Sequence, residues 1–308
     1  MRILQSHRAS GILYRFVKQY GGRYLLPANV CPIVPLTFKL ANVDFEFVDI
    51  DEKTLCIDEE ICLNFLKQRK CDGLVFVHTY GTEYYPEQFF HGLKEIISDF
   101  RIIDDKCLCA PNMAIPETDA DLTLYSTGYA KYVDLGGGAF GFIKDELRLS
   151  DDVVIYNGSD IEPLYKEAFQ NNEKIEKFGK GWLDAFVTDV LDGNYCFTVA
   201  ESRDRIRKHK ESINAIYSEG LKRVETIGDS YNQWRFNILV DNKEQVLRSI
   251  FDAGLFASSH YQPSSRLFVE KRFPNAEKLY GRVINLFNDK YMDFDSARKL
   301  TSVIRNYL

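Results

Sequence analysis

The sequence predicts an α/β protein: a mainly parallel central sheet in a large domain over residues 1–195, then a smaller α+β domain over 196–308. Three observations predict it. Short strand-like runs alternate with helical stretches through the first half, the pattern of a parallel sheet covered on both faces. Those runs mostly end in Asp, His, Ser or Pro, and ligands of such sheets bind beyond the carboxyl ends of the strands. The last third carries one clear strand-like run among amphipathic helices, without continued alternation.

The strand candidates of the first half are 23–26, 45–48, 74–77, 101–103, 122–125 and 140–143, short and β-branched or aromatic. Pro86 opens a helix with Phe89, Phe90, Leu93, Ile96 and Ile97 on one stripe. The stretch 151–194 reads as irregular chain with one helix over 182–191. A long helix follows over about 201–221; its Arg203, Arg205, Arg207, Lys208 and Lys210 read as a solvated face. The strand 234–240 leads into a helix carrying Val246, Ile250 and Phe251. A final helix places Leu300, Val303, Ile304, Tyr307 and Leu308 on one face. No internal repeat or low-complexity linker is present.

At 308 residues the chain can bury a large core. The formal net charge of -6 and a pI near 5.5 give no basic stripe for nucleic acid. No apolar run approaches the roughly 20 residues that span a bilayer. The first residues lack a signal-peptide pattern, so the expectation is a cytoplasmic protein with no membrane or nucleic-acid partner. Seven cysteines, several in apolar contexts, read as reduced thiols. Cys107 and Cys109 are too close and too isolated for a zinc pair, and no metal is expected.

The most informative residue is Lys131. Ser126 lies five residues before it, and Gly136, Gly137 and Gly138 follow. Upstream, an apolar run ends in Asp104 and Asp105. An acid can hold a pyridine nitrogen protonated, a hydroxyl can bind phosphate, and an amine can form a Schiff base, so the combination points to pyridoxal phosphate. The glycines are not a P-loop, since no Gly-Lys-Ser/Thr follows, and read as a tight strand entry.

In register, these pieces resemble the DegT/DnrJ/EryC1/StrS family of fold-type I, pyridoxal-phosphate-dependent sugar aminotransferases. Pro27-Ala28-Asn29 with Ala41 and the run 47–51 is similar to "P-A-N … G-A … F-V-D-I-D". The run 77–81 resembles "V-H-x-Y-G", 103–105 resembles "I-E-D", 260–263 resembles "H-Y-x-P", and 273–277 resembles "F-P-x-A-E". The resemblance implies that Lys131 is the Schiff-base lysine and proton carrier, with Asp105 on the pyridine N–H and Ser126 on the phosphate. Ser6, His7 and Arg8 fall where the family has the start of "S-G-T-A", and backbone N–H groups at a helix start suit phosphate. Cys31 falls where many members stack an aromatic on the ring, and Cys107 joins the cofactor shell beside Asp105. His78, Tyr80, His260 and Tyr261 would meet substrate, although the residues alone also read His78 as a hydrogen-bonded structural histidine. The implied reaction moves an amino group from an amino acid, with glutamate foremost, to a nucleotide-linked keto-sugar in polysaccharide or glycosylated-metabolite synthesis, in a homodimer.

Several positions depart from the family pattern. His7 replaces a glycine, Arg8 a threonine, Leu108 a polar residue after the ring aspartate, and Ser265 a histidine. No segment matches the family's "N-x-R"; Gly179-Lys180-Gly181-Trp182 stands roughly there. These changes motivate a second reading, a relative that binds cofactor, sugar or a partner subunit without turnover. A sugar dehydratase is a third, opposed by Lys131, because such relatives carry histidine there.

Overall fold

The computed structural model describes residues 1–307; Leu308 lies outside the described residues. Eight strands form the large sheet: β1 (Arg2–Ser6), β2 (Arg23–Pro27), β3 (Asp44–Val48), β4 (Gly73–Val77), β5 (Arg101–Asp105), β6 (Leu122–Ser126), β7 (Ala139–Ile143) and β8 (Val187–Thr188). Their order is β3-β2-β4-β5-β6-β7-β1-β8. The run from β3 to β6 is parallel, β7 is antiparallel to both β6 and β1, and β8 is antiparallel to β1. Strand β1 was not expected from the sequence. It lies between β7 and β8 and brings Ser6 to the same end as Ser126.

Alternation along the strands sorts side chains to two faces. Tyr24, Leu26, Val75, Ile103 and Leu124 join the core under α1 (Ala9–Tyr20) and α2 (Ile33–Ala41). Leu25, Leu74, Phe76 and Ile102 join a second core under α3 (Glu59–Lys67) and α4 (Glu87–Ile96). Helix α1 buries Ile12, Phe16 and Val17 completely, each contributing about 1.5–3 kcal/mol. Asp58 caps α3 by accepting from the Ile61 N–H. Helix α4 buries Phe89, Phe90 and Leu93 as its stripe predicts, but Ile96 is exposed and Ile97 is already the cap.

The helix expected over 182–191 is absent. Trp182 and Leu183 are buried from irregular chain, then β8 follows. Asp184 accepts the Phe186 N–H at 3.1 Å, a local bond that competes with helix formation. The helix of this region is instead α5 (Glu162–Asn171). Helix α6 (Gly193–Gly220) starts earlier than expected, with Asp192 accepting the Asn194 N–H. The boundary expected at 195 falls in its first turn.

A second sheet has the order β11-β12-β10-β9, from β9 (Glu225–Thr226), β10 (Phe236–Leu239), β11 (Ala257–Ser258) and β12 (Val283–Leu286). Phe236, Ile238, Ile284 and Leu286 pack on α6, on α7 (Lys243–Asp252) and on α9 (Phe294–Arg305). Helix α8 (Pro274–Arg282) leads into β12. Phe251 on α7 and Tyr307 beyond α9 are exposed, against expectation. No helix among the described residues is long and apolar enough to cross a membrane, and all seven cysteines are free.

Candidate active site

Neighbouring residues Asp104 and Asp105 end β5 and face opposite ways. Asp104 shares the face of Ile102. It is fully buried, 2.8 Å from His78 Nε2 and 3.0 Å from Lys106 Nζ. Burial opposes its charge, yet His78 and Lys106 hold its carboxyl below the ordinary value. His78 Nδ1 lies 3.0 Å from the Thr82 carbonyl. His78 is thereby fixed among α4-side residues, on the other face from Asp105.

Asp105 shares the face of Ile103. Its Oδ1 accepts the Cys107 N–H at 2.9 Å, and no cation pairs with it among the described residues. Its charge acts on Cys31, Cys107 and Tyr261. The Lys131 ammonium acts on Cys31, Cys107 and His260. Lys131 and Asp105 therefore both lie within electrostatic reach of Cys31 and Cys107. Burial is the leading cause that raises the Cys31 and Cys107 thiols, so neither is an activated nucleophile. Burial, then Arg235 and Lys131, lowers His260 to about 3 and leaves a neutral imidazole. Burial raises the Tyr261 hydroxyl well above its ordinary value.

Ser6 and Ser126 both pair in register with Ala139, on either side of it. Paired residues share a face, so the two hydroxyls lie at one sheet end, on the face of Leu4 and Leu124. Ser126 Oγ accepts the Gly128 N–H at 3.3 Å. Ser6 Oγ accepts the Arg8 N–H at 3.3 Å and donates to the Phe186 carbonyl at 2.5 Å. No side chain caps the start of α1 beside them, leaving backbone donors of the kind that bind phosphate. The side chains of His7 and Arg8 turn elsewhere. His7 Nδ1 is 2.7 Å from Asp184 and its ring stacks on Phe186, while exposed Arg8 lies over the Tyr156 ring.

The Lys131 loop is braced from both sheets. Gly138 has φ +94, and a Cβ there would meet Thr127 Oγ1 at 2.7 Å and the Tyr195 ring at 2.8 Å, so only glycine fits. Thr127 Oγ1 binds the Gly137 carbonyl and the Tyr195 hydroxyl. Ala130 has φ +58, a conformation costing a non-glycine residue roughly 1–2 kcal/mol. Two bonds hold it there. Trp234 Nε1–H donates to the Ala130 carbonyl at 2.6 Å, and the Ala130 N–H donates to Asp134 at 3.0 Å. The Trp234 ring runs nearly parallel to those of Tyr80 and Tyr261, with its centroid 6.3 Å from each. Tyr80 is buried and donates to the His260 carbonyl at 2.5 Å. The sequence marks Trp234 only as the start of a strand. The remaining signal was its rarity, one of two tryptophans in the chain.

Neither a protein-family model nor a curated protein matches the sequence. Solved structures do match, over almost the whole chain. A DegT DnrJ EryC1 StrS aminotransferase from Brucella abortus superimposes with a TM-score of 0.70 at 16% identity, covering 99% of this chain and 85% of that one. The chain has the fold of these aminotransferases. The sugar aminotransferase CalS13 from Micromonospora echinospora gives 0.70 at 15% identity, over 100% and 88% of the two chains. The aminotransferase TlmJ from Streptoalloteichus hindustanus gives 0.73 at 14%, over 99% and 85%. The aminotransferase fold thus spans all the elements that carry Asp105, Ser126, Lys131 and His260.

Proposed function

We propose that the protein is a pyridoxal-phosphate-dependent aminotransferase of the DegT/DnrJ/EryC1/StrS kind. It would take an amino group from an amino-acid donor, glutamate foremost, and deliver it to a nucleotide-linked keto-sugar. The observation that supports this reading is that Lys131 and Asp105 act on the same two thiols, Cys31 and Cys107, with two hydroxyls and an uncapped helix start at one sheet end. These groups fit the cofactor: a carboxylate without a cation for the pyridine N–H, an amine without a carboxylate, and donors for phosphate. Pyridoxal phosphate, when bound, supplies the electron sink for exchanging an amino group between two carbons.

The chain's own residues do the rest. Lys131 takes and returns a proton at the substrate carbon, and the braced Ala130 backbone fixes where its amine points. Asp105 would keep a proton on the pyridine nitrogen. Ser126, Ser6 and the first N–H groups of α1 would hold the phosphate. Cys31 and Cys107 would border the cofactor, and the Trp234 and Tyr261 rings would help exclude water. Tyr80 supports the Trp234 ring, and neutral His260 can accept a hydrogen bond from substrate. The division near residue 195 separates the cofactor-binding part from the part that carries Trp234 and His260. The protein is proposed to work in the cytoplasm as a homodimer. Side chains left exposed at Val153, Ile155, Phe186, Val190 and Phe197 support a covering copy.

One arrangement favours the binding-only reading: His7 and Arg8 are engaged with Asp184 and Tyr156 instead of the phosphate end. Adding L-glutamate to the cofactor-loaded protein separates the two. Release of one equivalent of 2-oxoglutarate per site is expected from an aminotransferase. Retained cofactor with no 2-oxoglutarate would leave binding without transamination.

A further inference from the structure

Helix α6 holds the Lys131 loop at two points. Near the helix start, the Tyr195 hydroxyl lies 2.8 Å from Thr127 Oγ1. Further along, Ile206 packs with Tyr132 and Val133, the two residues after Lys131, in one buried cluster. Lys131, Tyr132 and Val133 also line one cavity of about 270 Å³ with Ser202, Ile206 and His209 of the helix. Lys210 stands one turn beyond Ile206, on the same helix face.

Lys210 is buried and has no carboxylate partner among the described residues. Its Nζ makes three contacts. It donates to the Trp234 carbonyl and to Asn288 Oδ1, both at 2.7 Å, and it lies 5.0 Å from the centroid of the Tyr132 ring. The Asn288 contact is a fixed anchor. Asn288 is fully buried, and its Nδ2 donates to Asn214 Oδ1 at 2.9 Å, one further turn along α6, and to the Asn232 carbonyl at 3.2 Å. The other two contacts lead to Lys131. Tyr132 follows it directly. Trp234 Nε1–H donates to the carbonyl of Ala130, the residue before it, at 2.6 Å. Both chain neighbours of Lys131 are therefore tied to one buried amine, directly on one side and through Trp234 on the other.

Burying a lysine amine costs free energy that an apolar side chain of similar length would not. The amine makes bonds that an apolar group cannot, and those bonds end on strained backbone. Ala130 is held at φ +58, which a non-glycine residue leaves unless its surroundings fix it. We propose that Lys210 is a positioning residue for Lys131: from α6 it fixes Trp234 and Tyr132, and through them the direction in which the Lys131 amine meets the cofactor. This rests on reading Lys131 as the residue that joins the cofactor. Lys210 acts through its neighbours and takes no part in the bond changes.

Two cofactor forms separate positioning from general support. Pyridoxamine phosphate carries an amine where pyridoxal phosphate has its aldehyde, so it fills the same site without bonding to Lys131. Absorbance titrations with each compound use the full chain as wild type, Lys210→Met, Lys210→Gln, Trp234→Phe and the Lys210→Met/Trp234→Phe double variant. Lys210→Met should weaken pyridoxal phosphate at least about 5-fold, the loss of a buried hydrogen bond, and leave pyridoxamine phosphate unchanged, which also shows that the variant folds. Lys210→Gln keeps N–H donors on a chain one bond shorter and should lose less; it carries the same comparison if Lys210→Met does not fold. On the Trp234→Phe background, Lys210→Met should cost less than on wild type, because part of its effect runs through the Trp234 bond. Unchanged pyridoxal phosphate affinity in Lys210→Met, equal losses for both compounds, or fully additive losses in the double variant would overturn the proposal. Failure of the Lys131 reading is a separate outcome, because wild type itself would then form no borohydride-stable adduct on Lys131.

Discussion

On the large sheet, Asp121 is almost completely buried and meets three cations: Lys94 at 2.7 Å, Lys144 at 3.3 Å and Arg101 at 3.8 Å. Asp104 is likewise matched by His78 and Lys106. Around the small sheet the reverse holds. Arg235, Lys210 and Lys243 are all buried, and none pairs with an acid among the described residues. Lys210 Nζ donates to the Trp234 carbonyl and to Asn288 Oδ1, both at 2.7 Å, and lies over the Tyr132 ring. Lys243 donates to Ser259 and to the Tyr280 carbonyl. Charges matched within the chain hold the sheet together, whereas unmatched cations cost stability and are retained where they position a loop or await an anion.

Removing a matched acid should do the most damage. Asp121→Ala strands Lys94 and takes away the acceptor of the Ile102 N–H. We expect a loss of about 3–5 kcal/mol in urea unfolding. A loss under about 1 kcal/mol would break the contrast between the two sheets.

Removing an unmatched cation should show mainly in the pH profile. Burial lowers Lys210 to about 7, against an ordinary 10.5. Between those values the unfolded chain holds the proton and the folded one does not, so wild-type stability rises with pH through this group. From pH 7 to 9 that contribution is about 2 kcal/mol. Lys210→Met should lack this rise. An unchanged slope would mean that Lys210 remains charged in the folded protein.

His260 gives the acid-side counterpart. Its folded value near 3 lies below the unfolded 6.5. Its contribution is complete above pH 6.5 and is lost as pH falls toward 3, about 2 kcal/mol between 6.5 and 4.5. His260→Gln should flatten that limb in acid titrations followed by circular dichroism. The smallest effect should come from Trp234→Phe, which keeps an aromatic ring beside Tyr80 and Tyr261 but loses the bond to Ala130. Cofactor affinity should fall by roughly 5- to 10-fold, about 1 kcal/mol, as measured by absorbance titration.

The large-sheet side was legible because its information is local. Strand-end residues Asp105 and Ser126 lie within short apolar runs, and Lys131 sits five residues from Ser126. Even the split between Asp104 and Asp105 follows from strand alternation once Ile102 and Ile103 are assigned to their two cores. Strand β1 escaped because Ile3 and Leu4 are its main apolar residues and its partner β7 lies over 130 residues away. The helix expected over 182–191 failed for a different reason. Trp182, Leu183, Phe186 and Val190 imitate a helical stripe, but Phe186 and Val190 are exposed and Asp184 bonds its own backbone. Lys210 was read as part of a solvated face, although it is 3% exposed. Nothing local distinguishes it from Arg207 or Lys208. Its partners at Trp234 and Asn288 lie 24 and 78 residues away.

The central claim is that Lys131 is the residue that holds the cofactor. The direct test is the visible spectrum of the protein with added pyridoxal phosphate, before and after borohydride, followed by peptide mapping. The account predicts a yellow band that borohydride bleaches and a stable adduct on the peptide containing Lys131. No band, or an adduct on Lys210 or any other lysine, would contradict it.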